Sequence, residues 1–350
     1  MQNAPTVAEE NQRILKSFAT KIADLERGYS GVNPFWSGLL EDVAVDDLDR
    51  MEVDQIAARL SSTPRWNYLM TPEDKHATII DDRIIDSVTE FVVKARAPKE
   101  LAEAGDKEGF ELAVGLVVLT KLGVLYDALR WHDKLKIHPK LVTLRHSFYF
   151  SRVEALIENV LQREKVRVLE IGAGGGTLRT FMKRLLPERV GAYAIVDLPQ
   201  LIFQSAYSAS KFLPREPIRI LGVDDAAATG SGDDVFATPQ FAETVAEKVG
   251  PFDLILNTHS FQEMDEGVIA EYFDLIHRHA APGAVFFNAN WQQAQMSRLD
   301  GTVFDNDPYR YPYRESDEVL YWGPDPFHEH AGKLGYKGKI RTCLSVRRIG

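Results

Sequence analysis

Apolar positions at Ile14, Leu15, Phe18, Ile22 and Leu25 fall close to a helical period, so residues 8–27 are predicted as an amphipathic helix stopped by Gly28. Val45 to Leu60 predicts a second helix, and Pro72 to Ala95 a third, with Thr71 as its cap and Pro98 past its end. The turn-rich stretches 31–40 and 63–68 carry aromatic residues and read as loops, the first of them packed on another surface. Phe110 to Leu129 is the most apolar run of this half, and Gly115 and Gly123 within it predict a tightly packed helix. Ser147 to Gln162 follows, with Phe148, Val153, Leu156, Ile157, Val160 and Leu161 as its apolar face. No ordered series of strands is visible before residue 140, so residues 1–140 are expected to form a helical domain serving as a lid, a dimerisation surface or both.

From residue 166 the pattern changes to short apolar runs alternating with amphipathic ones, the signature of a doubly wound parallel sheet. Strands are predicted at 166–171, 192–197, 218–223, 252–257 and 284–289, with helices at about 177–186, 199–212, 238–249 and 266–280. The small, acidic stretch 224–237 reads as a loop, and the tail 336–349 as a closing pair of strands. Residues 141–350 are therefore expected to be an α/β domain with a Rossmann-like, mostly parallel sheet. Its aromatic insertion at about 291–330 holds Trp291, Phe304, Tyr309, Tyr311, Tyr313, Tyr321, Trp322, Phe327, His328 and His330. Such an insertion would lie over the active-site edge or pack against the helical domain.

Composition narrows the partners. Of 350 residues, 45% are hydrophobic and 26% charged, as in an ordinary globular protein, and no apolar run reaches the length of a membrane span. The polar start, Met1 to Pro5, lacks a secretory signal, so a cytoplasmic location is the expectation. A net charge of −10 speaks against nucleic acid, and Arg179, Lys183, Arg184, Arg347 and Arg348 read as solvated basic faces. Cys343 is the only cysteine and reads as a packed strand residue; no spacing of His, Asp and Glu specifies a metal site.

The candidate chemistry centres on residues 166–176, Val-Arg-Val-Leu-Glu-Ile-Gly-Ala-Gly-Gly-Gly. Glu170 is a charge in an apolar strand, and Gly172, Gly174, Gly175 and Gly176 permit close approach of a ligand where the strand hands over to a helix. A dinucleotide fingerprint would place glycine where Thr177 stands; the pattern is instead Glu-x-Gly-x-Gly-x-Gly. Asp197 ends the next strand, placed to accept hydrogen bonds from a ribose diol. Here the sequence resembles the class I S-adenosylmethionine-dependent methyltransferases. The resemblance implies that the glycine turn and Glu170 lie against the methionine and ribose, that Asp197 with Leu198 holds the ribose, and that Asp224 or Asp225 meets the adenine. Asn257, at the end of the fourth strand, completes the expected cofactor edge.

The run Asn257-Thr258-His259-Ser260-Phe261-Gln262-Glu263-Met264 resembles the fourth-strand motif of the same class. His259 and Glu263 would share a face of a helical turn and act as base and orienter towards a hydroxyl. Plant-type small-molecule O-methyltransferases carry a His-Asp pair near this point, where Gln262-Glu263 stands here. Tyr149, Arg152, Gln262, Asn290 and Trp291 are candidate substrate contacts, with Asn288 as a further amide. Together, Val168 to Gly176, Tyr193 to Phe212 and Ser260 to Met264 are similar to the sugar O-methyltransferase family, over roughly residues 145–292. The expected partner is a small-molecule acceptor, with the helical domain as the surface for a homodimer. Two alternatives stay open: an N-methyltransferase of a small natural-product scaffold, and an inactive nucleotide-sensing or scaffold protein of the same fold.

Overall fold

The computed structural model describes residues 5–27, 47–62, 70–72, 97–223, 234–292, 294–297, 303–336 and 341–350. The segments 31–40 and 63–68, nearly all of the expected helix 72–95, and Asp224 and Asp225 lie outside the described residues.

The first expected helix is two: α1 (Val7–Ala19) and α2 (Ile22–Arg27). Thr6 starts α1 with a capping box, its hydroxyl accepting from the Glu9 N–H at 3.3 Å while the Glu9 carboxylate accepts from the Thr6 N–H at 2.7 Å. Next come α3 (Val53–Leu60), α4 (Ala97–Glu103), α5 (Lys107–Lys121), α6 (Leu125–Leu135) and α7 (Leu141–Leu156). Pro98 lies in the first turn of α4, where its missing N–H costs nothing. The expected helix 110–129 breaks between α5 and α6, where Gly123 turns at φ +71°.

After α7 the chain alternates: β1 (Val166–Ile171), α8 (Thr177–Leu185), β2 (Val190–Val196), α9 (Pro199–Phe212), β3 (Ile218–Ile220), β4 (Asp234–Ala237), α10 (Ala242–Val249), β5 (Phe252–Thr258), α11 (Glu266–His279) and β6 (Ala280–Trp291). A hairpin, β7 (Ala294–Ser297) with β8 (Val303–Asn306), precedes β9 (Glu318–Pro324), α12 (Pro326–Lys333) and β10 (Thr342–Arg348).

Eight strands form one sheet in the order β3-β4-β2-β1-β5-β6-β10-β9. All neighbours are parallel except β10, which runs antiparallel between β6 and β9. This is a doubly wound, Rossmann-like sheet, reversing its order between β1 and β5. A crevice for ligand is expected outside the carboxyl ends of those two strands.

Alternate residues of each strand feed two cores. Val166, Val168, Tyr193, Ile195, Leu254 and Leu256 face one, and Leu169, Ile171, Ala194, Val196, Ile255 and Phe286 the other. The first core is shared with the N-terminal helices, which dock on α9 and the sheet edge. Asn11 extends that edge, donating to Glu216 O at 3.0 Å and accepting from the Ile218 N–H at 3.0 Å. Tyr207 donates to Asp54 of α3 at 2.8 Å, and Gln204 to Leu60 O at 3.1 Å.

Some expectations change. The loop 224–237 ends in strand β4, whose Asp234 is buried against Arg179 and lies 3.1 Å from Lys183 Nζ. Arg179 and Lys183 are accordingly not a solvated face: Arg179 is 1% exposed, held in by the carboxylate across β2. Within the aromatic stretch 291–330, β9 pairs with β10, and Tyr311 and Tyr313 pack on Phe273 at 5.9 and 5.0 Å between ring centroids. Among the described residues the tail contributes one strand, β10, and its partners are β6 and β9.

Candidate active site at the carboxyl edge of the sheet

The turn after β1 is built from glycines that no other residue could replace without strain: Gly172, Gly174 and Gly176 sit at φ +73°, +56° and +71°. A Cβ on Gly172 would stand 2.0 Å from Ser260 Oγ, so the turn is pressed directly against the loop after β5. Asp197, just past β2, fixes the turn from the other side. Its Oδ2 accepts from the Gly174 N–H and its Oδ1 from the Leu198 N–H, both at 2.7 Å. Burial pushes the Asp197 carboxyl up to about 7, against the lowering effect of those N–H groups. Glu170, 1% exposed, is likewise pushed up to about 7 by burial, although the Tyr193 hydroxyl donates to it at 2.7 Å.

A nucleoside-bearing cofactor fits this edge on two counts. An ionised carboxylate offers about four acceptor positions, and the N–H groups of Gly174, Leu198 and Ala173 leave Asp197 capacity for a ribose hydroxyl. Gln200, in the first turn of α9, is 0% exposed with neither of its amide atoms hydrogen-bonded, the kind of orphan that a polar ligand satisfies.

At the end of β5 the amides form a brace. Asn257 donates to Ile171 O at 3.0 Å and to Ser260 Oγ at 2.6 Å, and accepts from Asn290 at 2.7 Å. Asn290 also donates to Asn288 and accepts from the Gln262 N–H at 3.0 Å; the Gln262 side chain accepts from the Trp291 N–H at 2.9 Å. Asn288 donates to the Tyr313 hydroxyl at 2.8 Å. Asn257, Gln262, Asn288 and Asn290 are thus brought together, but to hold the loop to β1 and β6. Ser260, Asn306 and Tyr313 belong to the brace and carry no sequence signal for it; Asn306 donates to Phe261 O at 2.7 Å and to Met264 O at 2.9 Å.

His259 follows β5 in the left-handed region, φ +64°, with its N–H donated to Ala289 O at 2.8 Å. A short 3₁₀ turn, Phe261–Glu263, comes next. The spacing that would put His259 and Glu263 on one α-helical face therefore does not apply. The His259 ring Nε2 lies 2.9 Å from the Tyr149 hydroxyl, and Tyr149 donates to Asp325 Oδ2 at 2.7 Å. Tyr149 is fully buried, so its hydroxyl serves these two residues. The Arg152 guanidinium lies 4.9 Å from the Phe148 ring centroid, and Trp291 is half-buried beside the Gln262 amide. Asp325 caps α12, accepting from the His328 N–H at 3.0 Å, and the His328 ring stands 4.7 Å from that of His259. Asp325-Pro326 before a helix is a readable cap; that it reaches Tyr149 is not.

No family model matches this chain, and no curated protein sequence does. Solved structures do. The N-methyltransferase NodS from Bradyrhizobium japonicum WM9 is 15% identical, covering 58% of this chain and 96% of its own, with a TM-score of 0.37. A SAM-dependent methyltransferase from Leishmania major is 11% identical over 69% of this chain and 82% of its own, with a TM-score of 0.38. TrmK from M. capricolum, solved with S-adenosyl-homocysteine, is 9% identical over 57% of this chain and 68% of its own, with a TM-score of 0.35. At such identities these are likenesses of fold. Among the described residues no helix is long and apolar enough to cross a membrane, and no group of three or more His, Cys, Asp or Glu could hold a metal ion.

Proposed function

We propose that this protein is an S-adenosylmethionine-dependent methyltransferase acting on a hydroxyl of a small polar molecule, a sugar or biosynthetic intermediate, as in the sugar O-methyltransferase family its sequence is similar to. The observation that carries this reading is the juxtaposition at one sheet edge of the Asp197-clamped glycine turn and His259, joined through the close Gly172–Ser260 contact. Bound S-adenosylmethionine supplies a sulfonium methyl group. Asp197 accepts from the ribose hydroxyls, and the glycine turn gives the cofactor backbone that no Cβ shields. His259 takes the proton that the acceptor hydroxyl must lose, since imidazole titrates near neutral pH. The braced loop after β5 holds His259 in place, so alignment supplies much of the acceleration. Asp224 and Asp225 remain the candidates for the adenine amine, and residues 1–140 the candidates for lid and dimer surface.

The test is a screen of sugars, amines and phenols with S-adenosylmethionine, read by mass spectrometry. A hydroxyl compound gaining one methyl group is the expected result. Methylation of amines alone, or of nothing while the cofactor binds, would refute the hydroxyl reading.

A further inference from the structure

Helix α7 runs back along the sheet, opposite in direction to β6. Arg163, past the helix end, donates to Pro282 O near the start of β6 at 2.8 Å. The Tyr149 ring instead packs on Phe287 near the end of that strand, 5.7 Å between centroids, and its hydroxyl reaches His259 at the carboxyl end of β5. Arg145 stands one turn before Tyr149 on the same face, so its Cα lies about 6 Å further along, outside the strand ends where the crevice is expected.

Arg145 is half-buried, and its Nε is buried without a hydrogen-bond partner. Among the described residues its guanidinium forms no hydrogen bond or ion pair. Arg179 and Arg189 also leave Nε unbonded, but Arg179 has the Asp234 carboxylate and Arg189 the Ile157 and Arg163 carbonyls. The groups around Arg145 feel its charge without answering it. Burial, and after it the Arg145 charge, pushes the His146 ring down to about 3. Burial raises the Tyr149 and Tyr336 hydroxyls, while the Arg145 charge draws both back down. Two acids act on these tyrosines. Glu111 of α5 acts on Tyr336 without pairing with Arg145, and Asp325 is bound by His328 and Tyr149. A permanently charged group partly withdrawn from water, with no acid against it, is destabilising unless a ligand supplies the acid.

We propose that Arg145 reads an anionic group on the acceptor: the molecule that is methylated carries a carboxylate or a phosphate, which the Arg145 guanidinium holds at the mouth of the crevice. The acceptor role rests on the methyltransferase reading. Both groups offer the paired oxygens that the planar guanidinium fork matches. The chain as a whole, at −10, repels anions, so a local cation without a counter-charge is what selects one. Arg145 binds and takes no part in the transfer itself, so its loss falls on acceptor affinity.

The experiment is nitrogen–proton NMR of the full chain labelled at arginine, since a buried Nε–H exchanges slowly with water. The Arg145 signal is identified by its loss in Arg145→Met, or in Arg145→Lys should the first variant fail to fold. Inorganic phosphate and acetate are titrated at constant ionic strength, on the free protein and again with S-adenosylhomocysteine bound. A saturable shift of the Arg145 signal is expected with at least one of them in both states, and none with chloride or glucose. The anion that saturates at lower concentration tells phosphate from carboxylate. No saturable shift overturns the site. A shift that S-adenosylhomocysteine abolishes also overturns the proposal, because Arg145 then holds the cofactor's own carboxylate. For an acceptor found by the methylation screen, Arg145→Met is expected to raise KM at least about tenfold with kcat little changed. An acceptor with neither carboxylate nor phosphate, or an unchanged KM, overturns the assignment. Saturable anion binding in a protein that methylates nothing would sustain the anion site and remove methyl transfer from it.

Discussion

Replacing Gly172 by Ala tests how tightly the two halves of the candidate site are pressed together. The added Cβ would lie 2.0 Å from Ser260 Oγ and 2.1 Å from Ser260 Cβ, at a φ of +73°. The left-handed backbone costs an alanine about 1–2 kcal/mol. Relieving the overlap means moving Ser260, whose hydroxyl is bound to Ile171 O at 3.1 Å and to Asn257 at 2.6 Å, which adds about 1–3 kcal/mol. The sum is a loss of about 2–5 kcal/mol, read from urea unfolding followed by tryptophan fluorescence. Gly123→Ala is the control: its φ is +71° and nothing lies within 4 Å of the new Cβ, so only the backbone contribution of about 1–2 kcal/mol is expected. In a Ser260→Gly background the cost of Gly172→Ala should fall to that of Gly123→Ala, giving a coupling of about 1–3 kcal/mol. Equal costs for Gly172→Ala and Gly123→Ala in the wild-type background would refute the close contact between the glycine turn and the β5 loop.

Glu170→Gln should stabilise the protein at pH 8 and do little at pH 4. The native Glu170 holds its proton up to about 7, against an ordinary 4.5, so its contribution to stability is full below 4.5 and lost as pH rises through 7. That gap is worth roughly 3 kcal/mol at most, and glutamine still accepts from Tyr193 without it. A melting-temperature difference that is the same at both pH values would contradict the burial of a charge here. Asp234→Asn should cost about 3–5 kcal/mol in urea unfolding, because Arg179 and Lys183 stay buried without their carboxylate. Glu243→Gln, which breaks the exposed pair with Arg278, should cost less than about 1 kcal/mol, and similar losses in the two variants would refute this account of Asp234.

What could be read from the chain was local. The β1 run, the glycine turn and Asp197 lie within 32 residues, and their order alone predicts a strand, a turn, a helix and a second strand with an acid at its end. Strand β4 was not legible because it has four residues, begins with a charge and follows a polar stretch; its burial depends on Arg179, 55 residues earlier. The basic face on α8 misled for the same reason, since helical spacing shows which side a residue is on but not whether an acid waits there. His259 was legible as a base candidate, while its supports were not: Tyr149 is 110 residues away, and Asp325 a further 176 from Tyr149. The amides Asn257, Gln262 and Asn290 sit where a ligand edge is expected, yet the sequence could not reveal that they bind one another.

The most direct measurement of the central claim is calorimetric titration of the full chain with S-adenosylmethionine and, separately, with NAD, repeated on Asp197→Ala. The account predicts binding of S-adenosylmethionine by the wild type, at least about tenfold weaker binding by Asp197→Ala, and no binding of NAD. Binding of NAD without S-adenosylmethionine, or unchanged affinity in Asp197→Ala, would contradict it.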